Sequence, residues 1–368
     1  MDGTRERGNE GTRGRGNEST RQPSIVPPFH RSPALVIQTA FLGDVVLTTP
    51  LISVLAERHG PVDVVTTPAA GSLLETHPAV RSVIRYDKNG RDRGMSGLWR
   101  LSAELRSRRY SVVYLPHRSF RSAVLALLSG AGERIGFRGT AASISYTRRV
   151  PRPERGHEVE RLLALCPNPS QAAQVSLGLT DADHREADRW LQRHAIAPGF
   201  VAVAPGSIWG TKRWPYYADL VKRLARPCVV IGSAADCDLA DSIVTAAPTR
   251  AVSAAGALGL RAAASLISRA AILVTNDSAP LHLATAVGTP VVALFGPTAP
   301  AFGFGPRRPG DMTLGIDELP CRPCSKHGPE TCPLGHHRCM RDLSVETVAT
   351  AVTTVLSAEE SRAICPRN

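Results

Sequence analysis

The sequence predicts an α/β protein made of two Rossmann-like domains, each a parallel sheet flanked by helices, facing one another across a cleft. Three observations predict it. Short apolar runs alternate with segments of helical periodicity along most of the chain. The alternation breaks once, at a polar, proline-containing stretch (151–153, then 166–171), and then resumes. The 368 residues, 43% hydrophobic and 21% charged, supply enough apolar material for two cores.

In the first series, Ala34–Thr39 (ALVIQT) reads as a strand and is followed by a helix through Arg58. Val62–Thr67, Val83–Tyr86 and Val112–Leu115 repeat the strand signal, with helical segments at 96–108 and 119–128. In the second series, Phe200–Ala204, Cys228–Gly232, Ile272–Thr275 and Pro290–Phe295 are strands, and helices cover 215–226, 236–246, 260–269 and 279–287. Strands separated by helices imply parallel pairing with right-handed crossovers. The predicted boundaries are an N-terminal domain at 33–175, a C-terminal domain at 176–343, and a closing helix and tail at 344–368. Residues 1–32 carry an imperfect repeat (GTRERGNE, GTRGRGNE) and too little apolar surface to fold, so a disordered tail is expected there. Neither a secretion-signal core nor an 18-residue apolar run occurs, so a soluble, cytoplasmic protein is expected.

The net charge is +12 and the isoelectric point near 9.8. Residues 33–150 hold sixteen basic and eight acidic side chains, two-thirds of the excess. Arg91, Arg93, Arg100, Arg106, Arg108, Arg109, Arg118 and Arg121 fall close together there. One reading is an anionic partner: phosphate, acidic sugar, lipid headgroup or nucleic acid. The other is codon bias on a solvated helix face, since only four of the 44 basic residues are lysines. A nucleic-acid platform would interleave aromatics with the cations. Aromatics are only 5% of the chain, and 91–109 contains a single Trp, which weighs against that partner.

Ligands of doubly wound sheets bind at strand carboxyl ends, so the strand-to-helix turns are where chemistry is expected. The first turn, FLGDVVLTTP, places Gly43 in a tight bend and Asp44 at a helix start, as an N-cap or as a functional carboxylate. The second, APGSIWGTKRWP, combines a Gly-rich bend, Ser207, Lys212 and Arg213, and a helix opening on Pro215. Free backbone N–H groups, a helix amino end and a lysine together suit a phosphate; the plain alternative is a surface loop with an inward Trp. The third, TNDSAPLH, offers Asp277 or Ser278 as caps and sets Ser278 and His282 four residues apart on the first exposed face of a helix.

These segments, with GTPVVALFGPT after them, occur in an order and at separations that resemble the lipopolysaccharide heptosyltransferase family (glycosyltransferase family 9) over residues 34–356. The resemblance implies a GT-B architecture and inverting transfer of heptose from ADP-heptose to the lipopolysaccharide inner core, with no metal or cofactor required. It implies Asp44 as general base, and Ser207, Lys212, Asp277, Ser278 and His282 as donor-binding residues. Asp236 matches an acidic residue that binds the adenosine ribose, across a loosely aligning Gly232–Ala235. His117, Arg118 and Arg121 lie in a polar turn resembling one on the acceptor side. Gln38 departs from members that carry lysine there. The implied partners are a nucleotide sugar, an anionic glycolipid acceptor and, peripherally, the cytoplasmic membrane face, with no nucleic acid. A different nucleotide sugar and glycan acceptor is the alternative within the family. With a reference pKa near 3.9, Asp44 would be an ionised but weak base that acts late in the reaction.

Cys166, Cys228, Cys237 and Cys365 are scattered. Cys321, Cys324, Cys332 and Cys339 form C-x2-C-x7-C-x6-C with His327, His336 and His337 among them. That cluster reads as an unmetallated surface loop, a structural zinc site or a redox-sensitive knot, and its spacing fits no standard zinc module.

Overall fold

The computed structural model describes residues 33–168 and 174–364. The tail expected at 1–32 lies outside the described residues, as does Cys365. Among the described residues, β1 (Ala34–Ile37), β2 (Val62–Thr66), β3 (Val80–Arg85), β4 (Val112–Leu115), β5 (Glu133–Phe137) and β6 (Arg148–Val150) form one parallel sheet in the order β3-β2-β1-β4-β5-β6. A second is built from β7 (Val201–Ala204), β8 (Cys228–Val230), β9 (Ala251–Ser253), β10 (Ile272–Asn276), β11 (Val291–Leu294) and β12 (Met312–Leu314), in the order β12-β11-β10-β7-β8-β9. The two sheets therefore share one winding scheme. Its direction reverses between β1 and β4 in the first and between β7 and β10 in the second, and each reversal opens a crevice at the strand ends.

The central strands are runs such as ALVI, VVYL and VAVA, buried along their whole length because helices cover both faces. That run of apolar residues is what made them readable. The outer strands β5, β6, β9 and β12 were not predicted. They are short and carry polar residues such as Glu133, Arg148 and Arg149, so no unbroken apolar run marks them. The helix Asp181–Arg193 was not predicted either, because it buries only a narrow stripe that includes Ala187, Trp190 and Leu191. The helix expected to open on Pro215 begins instead at Tyr217, since Trp214 and Tyr216 are still non-helical when the loop ends.

Local chemistry explains the first turn. Pro50 sits inside the helix Leu42–His59 and cannot donate to the carbonyl of Val46. The hydroxyl of Thr49 donates to that oxygen instead, at 2.8 Å, and accepts the backbone N–H of Ser176 at 3.1 Å. Thr48 donates to the carbonyl of Asp44 at 2.7 Å and accepts the Gln38 amide at 3.0 Å. The Thr-Thr-Pro run thus repairs the helix, ties it to the end of β1, and reaches the segment that enters the second half.

The same helix joins the two halves. Val46 and Leu47 share one apolar cluster with Leu281, Leu283 and Ala284 of the helix Ala279–Val287, which follows β10. The helices that leave the two sheets beside their crevices thus pack on each other, with both amino ends at the cleft.

Candidate active site

A cleft of about 710 Å³ lies between the strand ends of the two sheets. Phe41, Gly43 and Asp44 line it from the first half. Ser207, Lys212 and Asp236, together with Asp277, Ser278 and His282, line it from the second. All seven residues expected to act on donor or proton therefore meet in one space, although they are spread over 239 positions of sequence.

Asp44 is the third residue of its helix and accepts the backbone N–H of Phe41 at 3.1 Å, so it caps the turn and faces the cleft at once. Burial raises its pKa to about 6, and the nearby charge of Glu158 adds to the rise, while the Phe41 N–H and Arg152 oppose it. The carboxylate is a stronger base than the reference value implied, and it is still mostly ionised at pH 7.

Lys212 is buried and does not point freely into the cleft. Its Nζ donates to Asp277 Oδ2 at 2.6 Å and to the Asp277 carbonyl at 3.1 Å. Thr298 donates to the same carboxylate oxygen at 2.7 Å. Asp277 therefore fixes the ammonium and does not cap the helix; Ser278 holds the N-cap position with no side-chain cap bond. Sequence reasoning gave no role to Asn276, which is completely buried and ties the two turns together. Its Nδ2 donates to the carbonyl of Pro205 at 2.8 Å, and its Oδ1 accepts from the Trp214 backbone at 3.3 Å and the Tyr217 hydroxyl at 3.1 Å. Trp214 is packed inward, as the plain alternative for this loop expects, and Ser207 accepts the N–H of Trp209 at 3.3 Å.

The expected exposed face carrying Ser278 and His282 is a correction: His282 is buried. Burial lowers its pKa to about 4, with Asp277 opposing and His157 and Lys212 adding to the shift, so the imidazole is neutral at pH 7. Its Nδ1 is buried without a partner. The ring lies over Gly43, where a Cβ would stand 2.5 Å from the imidazole Cδ2, so this glycine is required by close approach. Asp236 accepts the Ser233 backbone N–H at 2.9 Å and the Ser233 hydroxyl at 2.7 Å, which holds its carboxylate against Gly206 at the cleft wall.

His117, Arg118 and Arg121 do not line this space. They sit after β4, next to the end of β1, where Thr39 and Ser122 hydroxyls lie 3.4 Å apart and Lys88 donates to the Thr39 carbonyl at 2.8 Å. Arg121 reaches the Lys88 carbonyl at 3.4 Å. Burial lowers the pKa of His117 to about 4, Lys88 adding to the effect, and its Nδ1 is also unpartnered.

Cys321, Cys324, Cys332 and Cys339 are free thiols. Cys324 Sγ donates to the Cys321 carbonyl at 3.1 Å, and the His337 N–H lies 3.4 Å from Cys332 Sγ. Among the described residues no group of three or more His, Cys, Asp or Glu is arranged to hold a metal ion. The loop also brings Lys326 and His327 to the cleft; the sequence marked His327 only as a member of the cysteine cluster and gave Lys326 no role. Only the abundance of arginine elsewhere could have marked that lysine.

Two doubly wound sheets whose strand ends face one cleft define the GT-B architecture of glycosyltransferases. The profile of glycosyltransferase family 9 (heptosyltransferase) matches residues 98–334, and the chain belongs to that family. Lipopolysaccharide heptosyltransferase 2 of Escherichia coli (strain K12) is 29% identical over 294 residues, 73% of this chain and 84% of that protein. Lipopolysaccharide heptosyltransferase 1 of Pseudomonas aeruginosa (strain PAO1) is 30% identical over 365 residues, 89% of this chain and 99% of that protein. The structure of E. coli ADP-heptose LPS heptosyltransferase II superposes with a TM-score of 0.73 at 25% identity, covering 89% of this chain and 99% of that one.

Proposed function

We propose that the chain is an inverting heptosyltransferase that moves heptose from ADP-heptose to the inner core of lipopolysaccharide, nearest the type that adds the second heptose. The observation that carries the reading is Asp44 and Lys212 lining one cleft from opposite halves. Asp44 takes the proton from an acceptor hydroxyl as its oxygen bonds to the anomeric carbon. The bond from that carbon to the diphosphate breaks on the other side, and ADP leaves. Lys212 and the amino end of the helix Ala279–Val287 meet the charge that develops on the leaving diphosphate. Ser207, Asp277, Ser278 and the neutral His282 frame the donor, and Asp236 takes the ribose. No cofactor is required in this reading.

The halves divided at 175/176 act as acceptor and donor domains, and closure brings Asp44 onto the donor. The acceptor is anionic, and His117, Arg118 and Arg121 receive it. Among the described residues no helix is long and apolar enough to cross a membrane. A peripheral stay at the cytoplasmic membrane face is supported by the basic excess of residues 33–150 and by exposed apolar side chains on two helices that pack on each other. Met95 is 63% exposed, Trp99 57% and Phe120 72%, all on helices that leave β3 and β4.

The test is nucleotide release from the purified protein with ADP-heptose set against ADP-, GDP- and UDP-sugars. Release from ADP-heptose alone supports the reading. Activity with a UDP-sugar and none with ADP-heptose would replace it with a family 9 enzyme of another donor and acceptor.

A further inference from the structure

The four-cysteine loop is fastened to the segment that carries Lys212. Gly210 N–H donates to Glu330 Oε2 at 3.2 Å, the Thr211 backbone and hydroxyl both donate to the Pro329 carbonyl, and His337 Nε2 lies 2.8 Å from the Thr211 carbonyl. Gly328 has φ +80° and passes so close that a Cβ on it would stand 3.4 Å from Lys212 Cγ. The two residues before it reach the cleft. The ring of His327 stacks on Trp209 at 6.5 Å and 26°, and lies 6.0 Å from Phe41 of the first half.

A diphosphate entering this cleft meets little free positive charge from the residues that the motifs single out. The Lys212 ammonium is already neutralised by Asp277 at 2.6 Å. Asp44 and Asp236 add two carboxylates to the lining, and Arg213 is bonded to the Ser207 carbonyl at 2.7 and 2.9 Å. Among the described residues Lys326 makes no ion pair, and it faces the same space. In a chain with only four lysines, two line this one cleft. A compact ammonium serves a phosphate oxygen as a point charge, a different task from that of the planar guanidinium used elsewhere in this chain.

We propose that Lys326 is a second diphosphate-binding cation of the donor site, presented by the four-cysteine loop and adding the charge that the Lys212–Asp277 pair lacks. This rests on the nucleotide-sugar reading above. The test is calorimetric titration of the full chain and of Lys326→Met and Lys326→Arg with ADP, AMP and adenosine. Lys326→Met is expected to weaken ADP about tenfold, the size of one charge-assisted hydrogen bond, with a smaller loss for AMP and none for adenosine. Lys326→Arg is expected to keep most of the ADP affinity. Unchanged ADP binding in Lys326→Met, or equal losses for all three ligands, overturns the role of Lys326 and leaves the donor reading standing. Failure of the unaltered protein to bind any of the three overturns the donor reading itself.

Discussion

Gly43 lies against the ring of His282, closely enough that a Cβ on the glycine would stand 2.5 Å from Cδ2. The contact joins the first turn of the helix after β1 to the first turn of the helix after β10, so it sets how nearly the halves approach beside Asp44. Gly43→Ala overpacks this point. It is expected to lower unfolding free energy by about 1–3 kcal/mol and to slow transfer. In a His282→Ala background the same methyl meets no ring, so its cost should largely disappear. Urea unfolding of the four proteins checks this, and additive losses would show that the two residues do not act through one contact.

Asp44, raised from 3.8 to about 6, links activity to stability. Transfer needs its unprotonated form, so kcat should be level above pH 7 and fall as pH drops through about 6. The fold favours the neutral carboxyl, and that advantage is complete below pH 3.8 and lost as pH rises through 6. The ionised form at pH 7 therefore burdens the fold by at most about 3 kcal/mol. Asp44→Asn should lose roughly 10²–10⁴-fold in turnover yet unfold at a higher temperature at pH 7 to 8, with the gain vanishing near pH 3.8. Turnover like that of the unaltered protein would remove Asp44 from the mechanism.

Lys212 and Asp277 form a buried pair, so either residue alone is an uncompensated charge. Lys212→Ala should cost about 3–5 kcal/mol in stability and weaken ADP binding. Lys212→Met combined with Asp277→Asn should recover much of the stability and none of the ADP affinity. Thermal melts with and without ADP separate the two effects. Recovery of ADP binding in the double variant would take the ammonium out of the donor site.

What could be read without coordinates followed from how each signal arises. The central strands were legible because burial on both faces demands unbroken apolar runs, as in ALVI and VAVA. Arg148–Val150 at a sheet edge has no such demand and left no trace. Asp44, Lys212 and Asp277 were legible because each stands in a recognisable turn. That Asp277 serves Lys212, that Asn276 binds two turns together, and that Lys326 arrives from a loop 114 positions past Lys212 are matters of long-range packing. No local pattern carries them. The +8 of residues 33–150 was visible as an amount, while the pairing of Arg81 and Arg108 with the buried Asp63 needed the sheet and its packing.

Arg118 and Arg121 test what that charge does. They stand outside the cleft, beside the end of β1. The double change to Gln should raise the KM for a phosphorylated acceptor about tenfold or more while leaving ADP binding within about twofold. Its acceptor affinity should also depend less steeply on salt, because the lost attraction is screened. Equal losses on donor and acceptor sides would leave the excess arginine as composition alone.

Glu158 offers a way to move the base without touching it. It is 5% exposed, its carboxylate pairs with Arg152 at 2.5 Å and lies 3.8 Å from Arg161, and its charge helps to keep the Asp44 pKa high. Glu158→Gln removes that repulsion and leaves Arg152 less compensated, and both changes favour ionised Asp44. The acid limb of the kcat profile should then shift to lower pH, while kcat on the plateau falls because a less basic carboxylate accepts the proton less readily. A merely structural role for Glu158 predicts something else: lower stability and lower activity at every pH, with the limb still near 6. Measuring kcat from pH 4.5 to 8 in both proteins therefore decides whether Asp44 is the group whose ionisation the reaction follows.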